Sequence, residues 1–165
     1  YAMLLIWFWI ISEQWLDQLY GHTTRIARCI KWLGIIGAIF LIIYIDFLGT
    51  TGEVNRFMRR HGIMVFFTLT PLAQLLLLDQ HYKSLPSLSE KDTLLPVLRY
   101  QLIIIILMLM IGISSTILDI AQIKTDKIEN IVEWNFSLLL KMYFLGMVFI
   151  WKNFRSVLRT GASNN

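Results

Sequence analysis

The segment Tyr100–Leu118, YQLIIIILMLMIGISSTIL, decides the fold class of this chain. It has nineteen residues, and none of them is charged. A helix needs about 20 residues to cross roughly 30 Å of hydrocarbon, so this segment is long enough to span a bilayer. Its apolar residues form a continuous run, whereas the strands of a membrane barrel alternate apolar and polar positions. The segment therefore predicts a helical integral membrane protein.

Four further apolar segments extend this interpretation to the whole chain, of which 56% is hydrophobic. The first, Tyr1–Leu16, is shorter, and we expect it to be the end of a helix whose beginning lies outside this sequence. We predict an all-α fold, an integral membrane helix bundle with five visible spans and six in the full protein. Residues 1–165 then form a single transmembrane domain, with spans at about 1–16, 29–47, 61–78, 98–118 and 131–151.

Charge and polarity outside the spans limit the classes of partner. The longest polar segment, Asp79–Pro96, is too short for a second domain, and we expect it to be the most mobile connection. The net charge of +4 comes from basic residues in short connections, so we expect no nucleic acid partner. The single cysteine, Cys29, cannot form a disulfide within the chain.

The distribution of Lys and Arg residues predicts the orientation. Nine lie on one side of the predicted bundle and five on the other. The positive-inside rule then places the C-terminus in the cytoplasm. The side with nine residues has Arg25, Arg28, Lys31, Lys83, Lys91, Arg99, Lys152, Arg155 and Arg159, and the opposite side has Arg56, Arg59, Arg60, Lys124 and Lys127.

Small residues inside the spans predict where helices approach each other closely. Gly34 and Gly37 lie in the second span, and Gly112 lies in the fourth. A residue without a side chain lets the backbone of a neighbouring helix come near. We therefore expect a packing partner against each of these glycines.

Pro71 predicts a kink in the third span, because proline has no backbone N–H and leaves the carbonyl group four residues earlier without its helical partner. The hydroxyl group of Thr68 or Thr70 is placed to take up freed backbone groups.

One histidine and four carboxylates are predicted to lie at similar depth on the side opposite the cytoplasm. Antiparallel neighbours bring the end of one span beside the start of the next, and these residues occupy such positions. A ring of this kind suits a cation, a lipid head group or a proton. The alternative is a set of solvated helix ends. The residues are Asp46, Glu53, His61, Asp119 and Glu133.

Lys141 differs from these residues because it lies near the middle of the last span. A lysine at a helix centre costs about 2.5–3.5 kcal/mol on insertion scales, and such residues usually face a bundle interior and have a partner. Candidate neighbours are Tyr44, Gln74 and Gln101. Our hypothesis is that Lys141 lines a polar cavity that meets an acidic lipid head group. The alternative is that its flexible chain extends to the head groups of a tilted span.

The sequence contains no signature of a soluble enzyme. It has no glycine-rich phosphate loop, no HExxH and no GxSxG motif. The histidines His22, His61 and His81 are far apart, so we expect no metal site. We accordingly expect no catalytic residue and no cofactor.

Several short motifs follow one another in an order that resembles the damage-regulated autophagy modulator (DRAM) family. This family belongs to a wider superfamily with Sfk-type proteins and the Golgi factor that remodels GPI-anchor lipids. The similarity covers Trp32 to Arg159, and the first visible span corresponds to the second of six. The motifs are Leu33–Phe47, Arg60–Gly62 with Phe66–Phe67, Arg99, Glu133–Trp134 and Trp151–Arg159.

The resemblance implies a six-helix protein of lysosomes, Golgi or plasma membrane, in a family linked to autophagy, phosphoinositide kinase recruitment and lipid remodelling. We expect a non-enzymatic protein that binds membrane lipids or scaffolds other membrane protein chains. The alternatives are an accessory subunit of a large membrane complex, a lipid-remodelling enzyme using His61 and Glu133, or a transporter or proton path through Lys141 and the carboxylates. The candidate lipid or polar-cavity residues are Lys141, Glu133, Trp134, His61 and Asp46.

Overall fold

The computed structural model describes residues 1–49, 51–85, 91–121, 123 and 125–162, except the side chains at 91, 119, 126 and 153–162. Over these residues the chain forms five α-helices and no strand, which confirms the predicted all-α class. The helices are α1 Ala2–Tyr20, α2 Arg25–Asp46, α3 Glu53–Ser84, α4 Lys91–Ile120 and α5 Asp126–Ala162.

Four of these helices are long and apolar enough to cross a membrane, which confirms a helical membrane bundle. Helix α1 has sufficient length, but Glu13 and Asp17 make its second half polar, and it is not one of the four. Two compact units divide the chain, Tyr1–Leu77 and Leu78–Asn165, and α3 runs from the first into the second. The candidate spans are Arg25–Asp46, Glu53–Ser84, Asp92–Leu118 and Lys127–Lys152.

The helices extend beyond the predicted spans. Helix α3 begins at Glu53, before His61, and continues through 79–84, while α4 begins at Lys91 and includes Pro96. The prediction of an irregular connection across Asp79–Pro96 is therefore wrong at both ends. At the end of α3, Lys83 Nζ lies 2.5 Å from Asp79 Oδ2, an i,i+4 pair that supports a helix outside hydrocarbon. The central part, 86–90, lies outside the described residues.

In the first unit, α1 packs against α2. The indole ring of Trp9 is fully buried, and a Cβ atom added at Gly34 would overlap it. Gly34 is thus a place where a large aromatic ring fills the volume that a side chain would take. Helix α2 itself begins at a threonine cap, since the Ala27 backbone N–H donates to Thr24 Oγ1 at 3.0 Å.

Helices α2 and α3 meet at two glycines, one from each helix. A Cβ atom at Gly37 would lie 2.8 Å from Thr70 Oγ1. A Cβ atom at Gly62 would lie 3.0 Å from both the Phe40 carbonyl oxygen and the Tyr44 backbone nitrogen. The first contact confirms the prediction for Gly37. The second brings two backbones together, and we did not anticipate it.

Helix α3 continues through Pro71. The Thr68 hydroxyl donates to the Met64 carbonyl oxygen at 2.8 Å. The Thr70 hydroxyl is buried without a hydrogen-bond partner among the described residues and lies beside Gly37. Neither threonine hydroxyl is therefore bonded to the carbonyl oxygen of Phe67, four residues before Pro71.

In the second unit, α4 packs against α5 along one side of each helix. The amide side chain of Gln101 is fully buried and lies against Gly146, whose added Cβ would come 3.2 Å from Gln101 Cγ. Gly112 has no described atom within 4 Å of its own added Cβ, so the predicted close approach there is wrong. The buried residues of α5 recur every three or four positions, at Phe136, Leu140, Tyr143, Met147 and Ile150.

We expect Gly34→Ala to lower the free energy of unfolding in lipid bicelles by about 1–3 kcal/mol, because the new methyl group overlaps Trp9 in a filled site. Gly112→Ala is the matched control, since its Cβ has open space, and it should change stability by less than about 1 kcal/mol. Reversible unfolding followed by tryptophan fluorescence measures both. Equal effects of the two substitutions would contradict the assigned contact.

Candidate functional site

The structure divides the five predicted site residues between the two units. Asp46 and His61 belong to the first unit, and Glu133, Trp134 and Lys141 belong to the second. Asp46, His61, Trp134 and Lys141 are exposed, and Glu133 is half-buried. Two further carboxylates were expected with them. Glu53 is exposed at the start of α3, and the side chain of Asp119 lies outside the described residues.

His61 and Asp46 lie at the same end of the α2–α3 pair. His61 precedes Gly62, whose contact with Tyr44 places it beside the last turns of α2, and Asp46 is the last residue of that helix. His61 Nδ1 lies 2.8 Å from the Phe57 carbonyl oxygen, and its ring stacks on Phe57 at 3.8 Å between centroids. Because a carbonyl oxygen only accepts, Nδ1 is the donor, and Nε2 is the acceptor in the neutral ring.

Asp46 has an exposed carboxylate at the C-terminal end of α2. The partial negative charge of a helix C-terminus disfavours an acid there, and an exposed position lets solvent stabilise the carboxylate. No hydrogen bond or ion pair joins Asp46 to His61 in the described part of the chain. The two residues share a location, and the structure does not connect them directly.

Lys141 lies on the side of α5 that faces away from α4. It is exposed, whereas Leu140, one position before it, and Tyr143, two positions after it, are buried. Residues at three- and four-residue intervals from Lys141 share its side of the helix. These neighbours are large, apolar and more than half exposed. We call this surface the Lys141 face; it consists of Trp134, Leu138, Lys141, Leu145 and Val148.

Gln101 does not accompany Lys141, contrary to our suggestion that it is a candidate neighbour. Its Nε2 atom donates to the Tyr143 carbonyl oxygen at 3.4 Å, inside the α4–α5 contact. Nearby, the Tyr100 hydroxyl donates to the Met142 carbonyl oxygen at 3.4 Å. These bonds place the side chains of Tyr100 and Gln101 in the contact between α4 and α5. The other suggested neighbours, Tyr44 and Gln74, belong to the first unit.

An ion pair between α1 and α2 was not predicted. Lys31 Nζ lies 2.6 Å from Glu13 Oε2, and the two side chains are 20% and 13% exposed. The same lysine lies 5.5 Å from the centroid of the Trp32 ring. Antiparallel helices bring the end of α1 beside the start of α2. The acidic residues in α1 and the basic residues in α2 could therefore have predicted this ion pair.

A second unpredicted feature is a buried polar stripe along α3. Its members form two pairs, one in each unit, and the two residues of each pair are three or four positions apart, so they share one side of the helix. Each is at most 4% exposed, and Ser84 Oγ donates to the His81 carbonyl oxygen at 2.9 Å. Polar side chains inside a membrane helix usually face protein. The stripe consists of Thr70, Gln74, His81 and Ser84.

These features define the chain as a helical integral membrane protein whose outer helix faces are apolar and which carries a cation on one of them. Among the described residues, no group of three or more metal-ligating side chains is present. No protein-family model, curated protein or solved structure matches the chain.

We expect Glu13→Lys to lower the free energy of unfolding by about 1–3 kcal/mol, because it replaces a half-buried ion pair with two like charges. The exchanged double variant Glu13→Lys with Lys31→Glu should recover most of this loss. Reversible unfolding in bicelles measures all three proteins. A double variant no more stable than the single one would show that the pair itself contributes little.

Proposed function

We propose that this chain is a non-enzymatic, multi-span membrane protein that binds lipid or holds partner membrane proteins. In this proposal it resides in the endomembranes of lysosome or Golgi or in the plasma membrane, with its C-terminus in the cytoplasm. The resemblance to the DRAM family supports the compartments and a link to lipid homeostasis or autophagy. The excess of basic residues on one side of the spans supports the orientation.

The observation that carries the proposal is the exposed apolar surface of α4 and α5. Large aliphatic side chains on these helices are about half exposed. Monomeric water-soluble proteins rarely expose such continuous surfaces, whereas lipid chains or other helices cover them in a bilayer. On α4 this surface includes Ile103, Ile106, Met110, Ile113 and Ile117.

Two side chains of α5 also favour the binding of a lipid or a protein partner. Trp134 is 76% exposed, and tryptophan rings are enriched at the membrane–water interface. Lys141 follows it on the same side of α5 by two helical turns. An aromatic ring near the interface and a cation at greater depth suit a lipid or a protein partner better than a free substrate in water.

Membrane embedding is tested by placing a charge on the exposed surface of α4. We expect Ile106→Lys to disfavour insertion of α4 by about 2.5–3.5 kcal/mol, because position 106 lies near the middle of the candidate span. Thr93→Lys is the control at the end of the same helix, where water solvates the ammonium group. Glycosylation acceptor sites engineered beside α4 report insertion, and equal insertion of both variants would refute the embedding.

Binding is tested by extracting the full chain into polymer-bounded nanodiscs directly from its membrane. We expect either one lipid class enriched severalfold over the surrounding membrane or one partner chain at a fixed ratio. Lipid mass spectrometry and protein quantification on the same sample measure both. Bulk lipid composition together with the absence of a stoichiometric partner would refute the proposal.

One observation favours a lipid-remodelling enzyme as a second candidate. The bond from His61 Nδ1 to Phe57 fixes the ring and leaves Nε2 as an acceptor on an exposed side chain, which is what a general base requires. We expect His61→Gln to leave the lipid or partner content of the nanodiscs unchanged if the protein only binds. Loss of a lipid conversion by this variant, with retained folding, would favour the enzyme instead.

A further inference from the structure

Lys141 lies in the central part of the candidate membrane span of α5. The candidate span of α5 is Lys127–Lys152. Lys141 therefore lies roughly 21 Å along the axis from one end of the span and roughly 16 Å from the other, at 1.5 Å per residue. Both ends of the candidate span are therefore about three or more helical turns from Lys141 along the axis.

The described part of the chain offers Lys141 no anionic partner on its own helix. The acidic residues Glu129 and Glu133 precede it by twelve and eight residues, roughly 18 and 12 Å along the axis. The ammonium group is on an exposed side chain and makes no ion pair with any described residue of the second unit. Left against lipid chains, an unpaired ammonium group is strongly disfavoured.

The residues around Lys141 form a seam, that is, a line of side chains like those through which two helices pack. Leu138 and Leu145 lie above and below it at three- and four-residue intervals, and both are more than half exposed. Leu140, Tyr143 and Met147 have the same spacing on the opposite side of α5, where α4 covers them. Such spacing lets a straight helix lie along the seam.

We propose that the Lys141 face docks a transmembrane helix of a different polypeptide, which carries an aspartate or glutamate at the depth of Lys141. This inference rests on the proposed function and names the partner by its chemistry. A carboxylate in contact with the ammonium group removes the cost of an isolated charge in hydrocarbon. A second copy of this chain, docked symmetrically through the same face, would bring two lysines together and is disfavoured by repulsion.

The test uses the full chain in vesicles of zwitterionic lipid, with synthetic transmembrane peptides as probes. Three peptides of leucine and alanine differ only at the central residue, which is glutamate, glutamine or leucine. Energy transfer between labelled peptide and labelled protein measures association. We expect the glutamate peptide to associate roughly tenfold more tightly than the leucine peptide, which corresponds to the 1–2 kcal/mol typical of interhelical polar contacts.

Variants of the chain locate the contact. Lys141→Leu should remove the preference for the glutamate peptide, Lys141→Arg should retain it, and Lys127→Leu at the end of the span should have no effect. In a Cys29→Ser background, a cysteine at Leu145 should cross-link to a cysteine in the peptide. A cysteine at the exposed Ile103 on α4 is the control and should not cross-link.

Two results would contradict the docking of an acidic helix on the Lys141 face. Equal association of the glutamate and leucine peptides would show that the charge does not select a partner. Loss of the preference when phosphatidylserine replaces part of the zwitterionic lipid would show that lipid head groups occupy Lys141. A failure of either kind leaves the nanodisc result for the proposed function unaffected, because that measurement involves no synthetic peptide.

Discussion

The absence of water from hydrocarbon imposes one constraint from which the rest of this structure follows. A peptide group in that medium has to find its hydrogen-bond partner within the protein, and a helix provides one for each interior residue. This explains why α2, α3, α4 and α5 are long and continuous. Because lipid chains already solvate apolar side chains, close contact between helices then depends on shape, as at Gly34 beside Trp9 and Gly62 beside Tyr44.

The same constraint explains how the charged groups are distributed. Glu13 and Lys31 form an ion pair between the adjoining ends of α1 and α2, and Asp79 pairs with Lys83 at the end of α3. Charges at helix ends can thus be solvated or paired. Lys141 has neither advantage, since it lies near the middle of a span on the side that faces away from α4. Its position is the reason for regarding this face as an interface.

Composition and hydropathy were sufficient to predict the helical membrane class, because uncharged apolar runs as long as Tyr100–Leu118 are stable in the hydrocarbon of a bilayer and not in water. The glycine contacts were predicted only in part. Gly34 and Gly37 lie in close contacts as expected, whereas Gly112 faces open space, and Gly62 and Gly146 were missed. A small residue permits a close approach, but which helix approaches it depends on residues distant in sequence. The parts of the helices that extend beyond the spans were missed, because hydropathy identifies only the apolar residues that cross the hydrocarbon and not the polar turns that continue the same helix.

Sequence alone therefore determined that this protein is helical, that it belongs in a membrane and that Lys141 lies at depth, since each follows from local hydrophobicity and from position along a helix. Only the tertiary structure decided which side of each helix is covered. It placed Gln101 inside the α4–α5 contact and Lys141 on the opposite side of α5. Hydropathy cannot make this distinction, because the covered and exposed sides of a membrane helix are both apolar and differ only in what packs against them.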